Sequence, residues 1–94
     1  MTLQAFRDSL NVSNPTEFLR AGLIGEGMMI PGESGENPLV YADYVASGRA
    51  LMQVEDYISC QVLPFYANSH TDTSYTGAYI TKLREDARAE IARL

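Results

Sequence analysis

The stretch Tyr41–Gly77, YADYVASGRALMQVEDYISCQVLPFYANSHTDTSYTG, decides how the chain is read. With Leu39 and Val40 before it, its start is β-branched and aromatic and reads as a short strand, Leu39–Tyr44. Ser47-Gly48 breaks that pattern. From Ala50 the period becomes helical. Leu51, Val54, Ile58 and Val62 recur at spacings of three and four, and Pro64 stops the run. A polar and aromatic loop, 65–73, then holds His70, the chain's one histidine. Two turn-like breaks therefore flank one helix, with Asp43, Ser47, Asn68 and His70 close to them.

Working outward, Ser74 caps a last helix in which Ile80, Leu83, Ala87, Ile91 and Leu94 form an apolar stripe. Its other face is charged, with Glu85 near Arg88 and Glu90 near Arg93 at helical spacing. Upstream, Leu3, Phe6 and Leu10 predict a short helix over 2–10. Asn14-Pro15-Thr16-Glu17 is a helix start, with Asn14 as cap and Pro15 in the first turn. The segment 25–38, GEGMMIPGESGENP, reads as a Gly- and Glu-rich loop that is neither a dinucleotide fingerprint nor a P-loop. Met28, Met29 and Ile30 within it are expected to pack on a surface.

The 94 residues amount to one domain at most, 46% apolar, with a net charge of -5. Seven scattered Lys and Arg make no phosphate-binding patch, which argues against nucleic acid. No run is long enough for a membrane span, and the N-terminus lacks the basic start of a signal peptide. A single cysteine, Cys60, fits a reducing, cytoplasmic compartment and is expected to be a buried structural thiol. The organisation is one partial domain, 1–94. It comprises a helical arm (1–25), a loop (26–38) and a strand-turn-helix-loop-helix (39–94). The fold class is mainly α, or α+β with one or two short strands at most. A lone strand leaves its edges unpaired, and the last helix runs to Leu94 without a capping residue. Both features read as the front of a larger structure.

The residues for chemistry are few. With no second histidine, and Cys60 inside a helix, a metal site is not expected. The same setting argues against Cys60 as a nucleophile. His70 has the one side chain that ordinarily titrates near neutrality, although a loop histidine is more often a hydrogen-bonding surface residue. Asp43, at the end of an apolar run, needs a partner or the mouth of a site. The many aromatic residues suit core or interface packing.

Three motifs carry a resemblance. "VYADYVASGRAL" resembles the early strand-turn of class V aminotransferase-like enzymes, roughly Tyr-Leu-Asp-Asn/Ser-Ala-Ala. "YANSH" resembles their Tyr-Ala-Asn-x-His loop, and "TGAYITKLREDARAEIARL" resembles the helix that follows. The family is the fold-type I pyridoxal-phosphate enzymes, including cysteine desulfurases and selenocysteine lyases, and the likeness spans 39–94. It implies that Asp43, Ala46, Ser47, Asn68 and His70 lie on the substrate side. Tyr44-Val45 departs from the pattern, where a small or polar residue is usual. The one lysine, Lys82, lies on the charged face of the last helix and is not expected to form the Schiff base. The resemblance therefore implies the N-terminal portion of an amino-acid-processing enzyme. Pyridoxal phosphate would serve the parent enzyme, with no cofactor and no catalytic residue expected in this chain alone. The expected partners are the rest of such a chain and further copies of this one. The alternative is a stand-alone helical protein-interaction module without catalysis.

Overall fold

The computed structural model describes residues 2–94. Among them are four α-helices and one antiparallel strand pair, a small α+β arrangement that agrees with the mainly helical expectation. The chain divides into two compact units, residues 12–55, and residues 2–11 together with 56–94.

In the unit 12–55, helix α2 (Pro15–Ala21) starts as its sequence dictates. Asn14 Oδ1 accepts the Glu17 amide at 3.2 Å, and Pro15 takes a first-turn position that needs no donor. A two-bond bridge then ties the chain to a distant segment. Ile24 N–H donates to Ala50 O, and Met52 N–H donates to Gly22 O. The bridge uses the backbone on both sides of Leu51, so helix α3 (Met52–Tyr57) begins two residues later than the apolar period suggests.

Two expectations are corrected in this unit. The segment read as a loop contains a hairpin, β1 (Met29–Gly32) and β2 (Gly35–Pro38), joined through Glu33-Ser34. Gly35 adopts φ 116, a conformation that a side chain resists. The register Met29↔Pro38 to Gly32↔Gly35 continues to a bond from Leu39 N–H to Met28 O. By the alternation of an antiparallel ladder, Ile30 and Gly32 face their partners' hydrogen bonds, while Met29, Pro31, Glu36 and Pro38 turn their backbone outward. Both prolines thus sit where no ladder bond is lost, which is why a segment rich in Gly and Pro still pairs.

The second correction is Leu39–Tyr44, which is not a strand. After its bond to Met28, the chain leaves the hairpin and folds into a turn. Tyr41 Oη lies 2.8 Å from both Ser47 O and Ser47 Oγ and 3.1 Å from Asp43 O. The aromatic residue that suggested a strand instead clasps the turn.

In the other unit, α1 (Leu3–Ser9) is capped by Thr2, whose Oγ1 accepts the Ala5 amide. After α3 the helical path widens into a π-turn (Ile58–Val62), where Leu63 N–H reaches back to Ile58 O, and tightens into a 3₁₀ turn (Leu63–Phe65). Pro64 accounts for this. It has no N–H to offer, and in an α-helix its ring would strike the carbonyl four residues back, that of Cys60. Cys60 itself is exposed, against the expectation of a buried thiol. Cys60 stands two residues from both Ile58 and Val62, which at about 3.6 residues per turn is the side away from the apolar stripe. Helix α4 (Tyr75–Arg93) is capped by Ser74, whose Oγ accepts the Gly77 amide. Its stripe is half-covered at Ile80, Leu83 and Ala87, but Ile91 and Leu94 stand in water.

Among the described residues, no apolar side chain larger than glycine is fully buried. The caps, bridge and hairpin set the chain's path while leaving most of its apolar surface only partly covered.

Candidate functional site

Helix α4 opens with an aromatic cluster. Tyr75 and Tyr79 are one turn apart, and Phe65, delivered by the 3₁₀ turn, packs between them with ring centroids at 5.7 Å and 4.7 Å. On the α1 side, Phe6 packs on Tyr57 at 4.6 Å. Tyr79 Oη donates to Gln61 O, a carbonyl in the widened π-turn. The kink forced by Pro64 therefore both carries Phe65 to α4 and anchors Tyr79 there.

Tyr57, Phe65, Tyr75 and Tyr79 line an open cavity of about 550 Å³ with Leu3, Leu83 and the Lys82–Asp86 pair, within the size range of ligand pockets. Lys82 Nζ donates to Asp86 Oδ2 at 2.7 Å. Burial pushes the Tyr57 phenol upward, and nearby Tyr79 and Asp86 add to the shift. The lining is apolar and aromatic with a charged rim, suited to holding another apolar body.

The residues singled out by resemblance fall into two groups. Asp43, Ala46 and Ser47 share the Tyr41 turn of unit 12–55, where all three are exposed. Asn68 and His70 are exposed in the loop before α4, in the other unit. His70 has φ 72, in the left-handed region that non-glycine residues avoid. Its amide donates to Thr81 Oγ1, which in turn donates to Thr71 O, so one hydroxyl on α4 holds the loop from both sides. The His70 ring lies against Arg84, whose Nη1 is 3.4 Å from each ring nitrogen. In these contacts the imidazole's neighbour is a guanidinium on α4, so the ring too is clasped to that helix.

Pyridoxal phosphate does not fit the lysine this chain offers. A Schiff-base lysine must be enclosed and lose its proton. The Lys82 side chain is 75% exposed and paired with Asp86. Among the described residues, no three His, Cys, Asp or Glu side chains gather as a metal-binding group. No described helix is long and apolar enough to cross a membrane.

Sequence reasoning assigned Tyr57, Phe65, Tyr75 and Tyr79 to general packing and did not foresee a common groove. The spacing of Tyr75 and Tyr79 places them on one helix face, but the arrival of Phe65 depends on the turn geometry around Pro64. Compared with known proteins, the chain matches no family model, no curated protein and no solved structure.

Proposed function

We propose that this chain is a protein-interaction module whose apolar groups are covered by a second protein surface. The observation that carries this reading is the lack of any buried apolar side chain larger than glycine among the described residues, beside exposed Met28, Met29, Val40, Val45, Ile91 and Leu94. Each large apolar side chain left in water forfeits about 1.5–3 kcal/mol of burial. The aromatic groove holds four further rings that are only partly covered. For Ile91 and Leu94 on α4, a second copy is the simplest cover. Two-fold pairing is the commonest closed association, and α4 carries charges of both signs that tolerate it. We assign the module to a reducing, cytoplasmic setting on its single cysteine.

The ordered resemblance of 39–94 to class V aminotransferases supports a second, more specific cover, the remainder of a pyridoxal-phosphate enzyme. There Asp43, Ala46, Ser47, Asn68 and His70 would face the substrate, and the Schiff-base lysine would come from elsewhere.

Sedimentation of the full chain over a wide concentration range, paired with hydrogen exchange, tests the main reading. The expected result is a mass above the 10.4 kDa monomer, or a monomer with weakly protected α4 amides that needs a partner. A monomer with cooperative unfolding and strongly protected α4 amides would overturn it.

A further inference from the structure

We infer that the hairpin 29–38 and the turn that follows it dock, face-on, against a basic apolar segment of another protein. This rests on the interaction-module reading and names the partner's chemistry.

All eight residues of β1 and β2 are exposed, so both faces of the hairpin lack a covering layer. A two-stranded hairpin without one is marginal in water. Its side chains are not those of a solvated ornament. Met29, Pro31 and Pro38 share one face, with Glu36 beside them. Met28 precedes the hairpin, and Val40, Tyr44 and Val45 follow it, all exposed.

The edges are closed to another strand. Pro31 occupies an outward position on β1, and Pro38 occupies one on β2. Each edge has lost one of its two outward donors, which blunts strand addition. A partner must therefore rest on the side chains.

Charge selects that partner. Residues 21–48 carry Glu26, Glu33, Glu36 and Asp43 and contain no lysine or arginine. The next cation, Arg49, has a side chain only 10% exposed and is committed to Glu26 at 3.0 Å and to Ile24 O. The face thus carries Glu36, with Glu33 in the adjoining turn, and residues 21–48 supply no cation to neutralise them. A second copy placed hairpin on hairpin about a two-fold axis would set Glu36 near Glu36, and like charges reject that pairing. A segment with lysine or arginine around an apolar stripe satisfies both the rim and the centre.

The test uses the full ¹⁵N-labelled chain and three synthetic amphipathic peptides of equal length, built of leucine with lysine, with glutamine, or with glutamate. The leucine–lysine peptide is expected to shift amides in 28–45 and remain helical. It should bind at least tenfold more tightly than the glutamine peptide at low salt, an advantage that shrinks as salt is added. The double variant Glu33→Gln/Glu36→Gln, whose residues have no ion pair to lose, should remove that advantage while leaving the free protein's spectrum unchanged. Equal binding of all three peptides would overturn the charge selection and leave the module reading standing. Shifts confined to 56–94, or a peptide bound as a strand, would overturn the docking site or its face-on mode. Failure of every peptide to bind, with the chain a stable monomer, would overturn both readings.

Discussion

Arg7 Nη1 donates to both carboxylate oxygens of Glu90 at 3.0 Å, joining the first helix to the last across 83 positions of sequence. Glu90 also accepts from Arg93 at 2.9 Å. The Arg93 bond, opposed by desolvation and reinforced by the Arg7 bond and the charges of both arginines, holds the Glu90 carboxyl below its ordinary value of 4.5. A carboxylate with a depressed folded pKa contributes stability above its unfolded pKa and loses it as pH falls through the folded one. The stability advantage of the wild type over Glu90→Gln should therefore be present at neutral pH and be lost as the solution is acidified through and below the carboxyl's ordinary 4.5. Salt should also reduce it, since the pair is partly exposed. Thermal melts of the two proteins across pH check this, and an advantage that survives at pH 2 would refute it.

Gly77 is fully buried under the loop that precedes α4. A Cβ there would meet Thr71 Cγ2 at 2.5 Å and Ser74 Oγ at 2.9 Å, disturbing the helix cap itself. Gly77→Ala is expected to cost about 1–3 kcal/mol through overpacking, read by urea denaturation. Adding Thr71→Ser, which removes the clashing methyl, should recover part of the loss. No recovery would mean that the cap, rather than the methyl contact, limits the site.

Tyr79→Phe keeps the ring stack but removes the donor to Gln61 O. The expected loss is about 0.5–1.5 kcal/mol, the net worth of one hydrogen bond. Faster amide exchange in residues 59–63 should accompany it. Unchanged exchange there would show that Pro64 alone maintains the wide turn.

Lys82 is exposed and paired with Asp86. Incubation with pyridoxal phosphate, borohydride reduction and mass spectrometry should show no stoichiometric adduct on Lys82. A stoichiometric adduct would mean that the amine is activated in a way its surroundings do not suggest.

Ile91 and Leu94 extend the α4 stripe into water. Under the proposed self-association, Ile91→Lys with Leu94→Lys should weaken it at least tenfold, measured by sedimentation. An unchanged association constant would move the contact to another surface.

The helix starts were legible because capping is local. Asn14 and Ser74 each meet an amide three residues on, and Thr2 does the same for α1. The stop at Pro64 was only partly legible: α3 already ends at Tyr57, and the path runs on through the π-turn into a 3₁₀ turn that contains Pro64. The strand at Tyr41 was misread because aromatic and β-branched residues also suit a packed turn, and Tyr41 found Ser47 instead of a neighbouring strand. The hairpin was missed because Met-Ile-Pro-Gly and Gly-Glu-Asn-Pro have little strand propensity of their own, and their pairing depends on register. Of the candidate site residues, the sequence indicated that Asp43 and Ser47 flank one turn and that Asn68 and His70 share a loop, but not what each would bond.

The sequence alone determined where α1, α2 and α4 begin, which face of α4 is apolar, and that the charge is acidic with no cation between residues 21 and 48. Those properties follow from neighbours within a turn or two. Tertiary structure decided the Leu23–Leu51 bridge, the outward placement of Pro31 and Pro38 and the gathering of Phe65, Tyr75 and Tyr79. Each of these depends on which backbone groups pair across the chain, or on how a strained turn rotates everything after it. Residue type and spacing do not specify such relations.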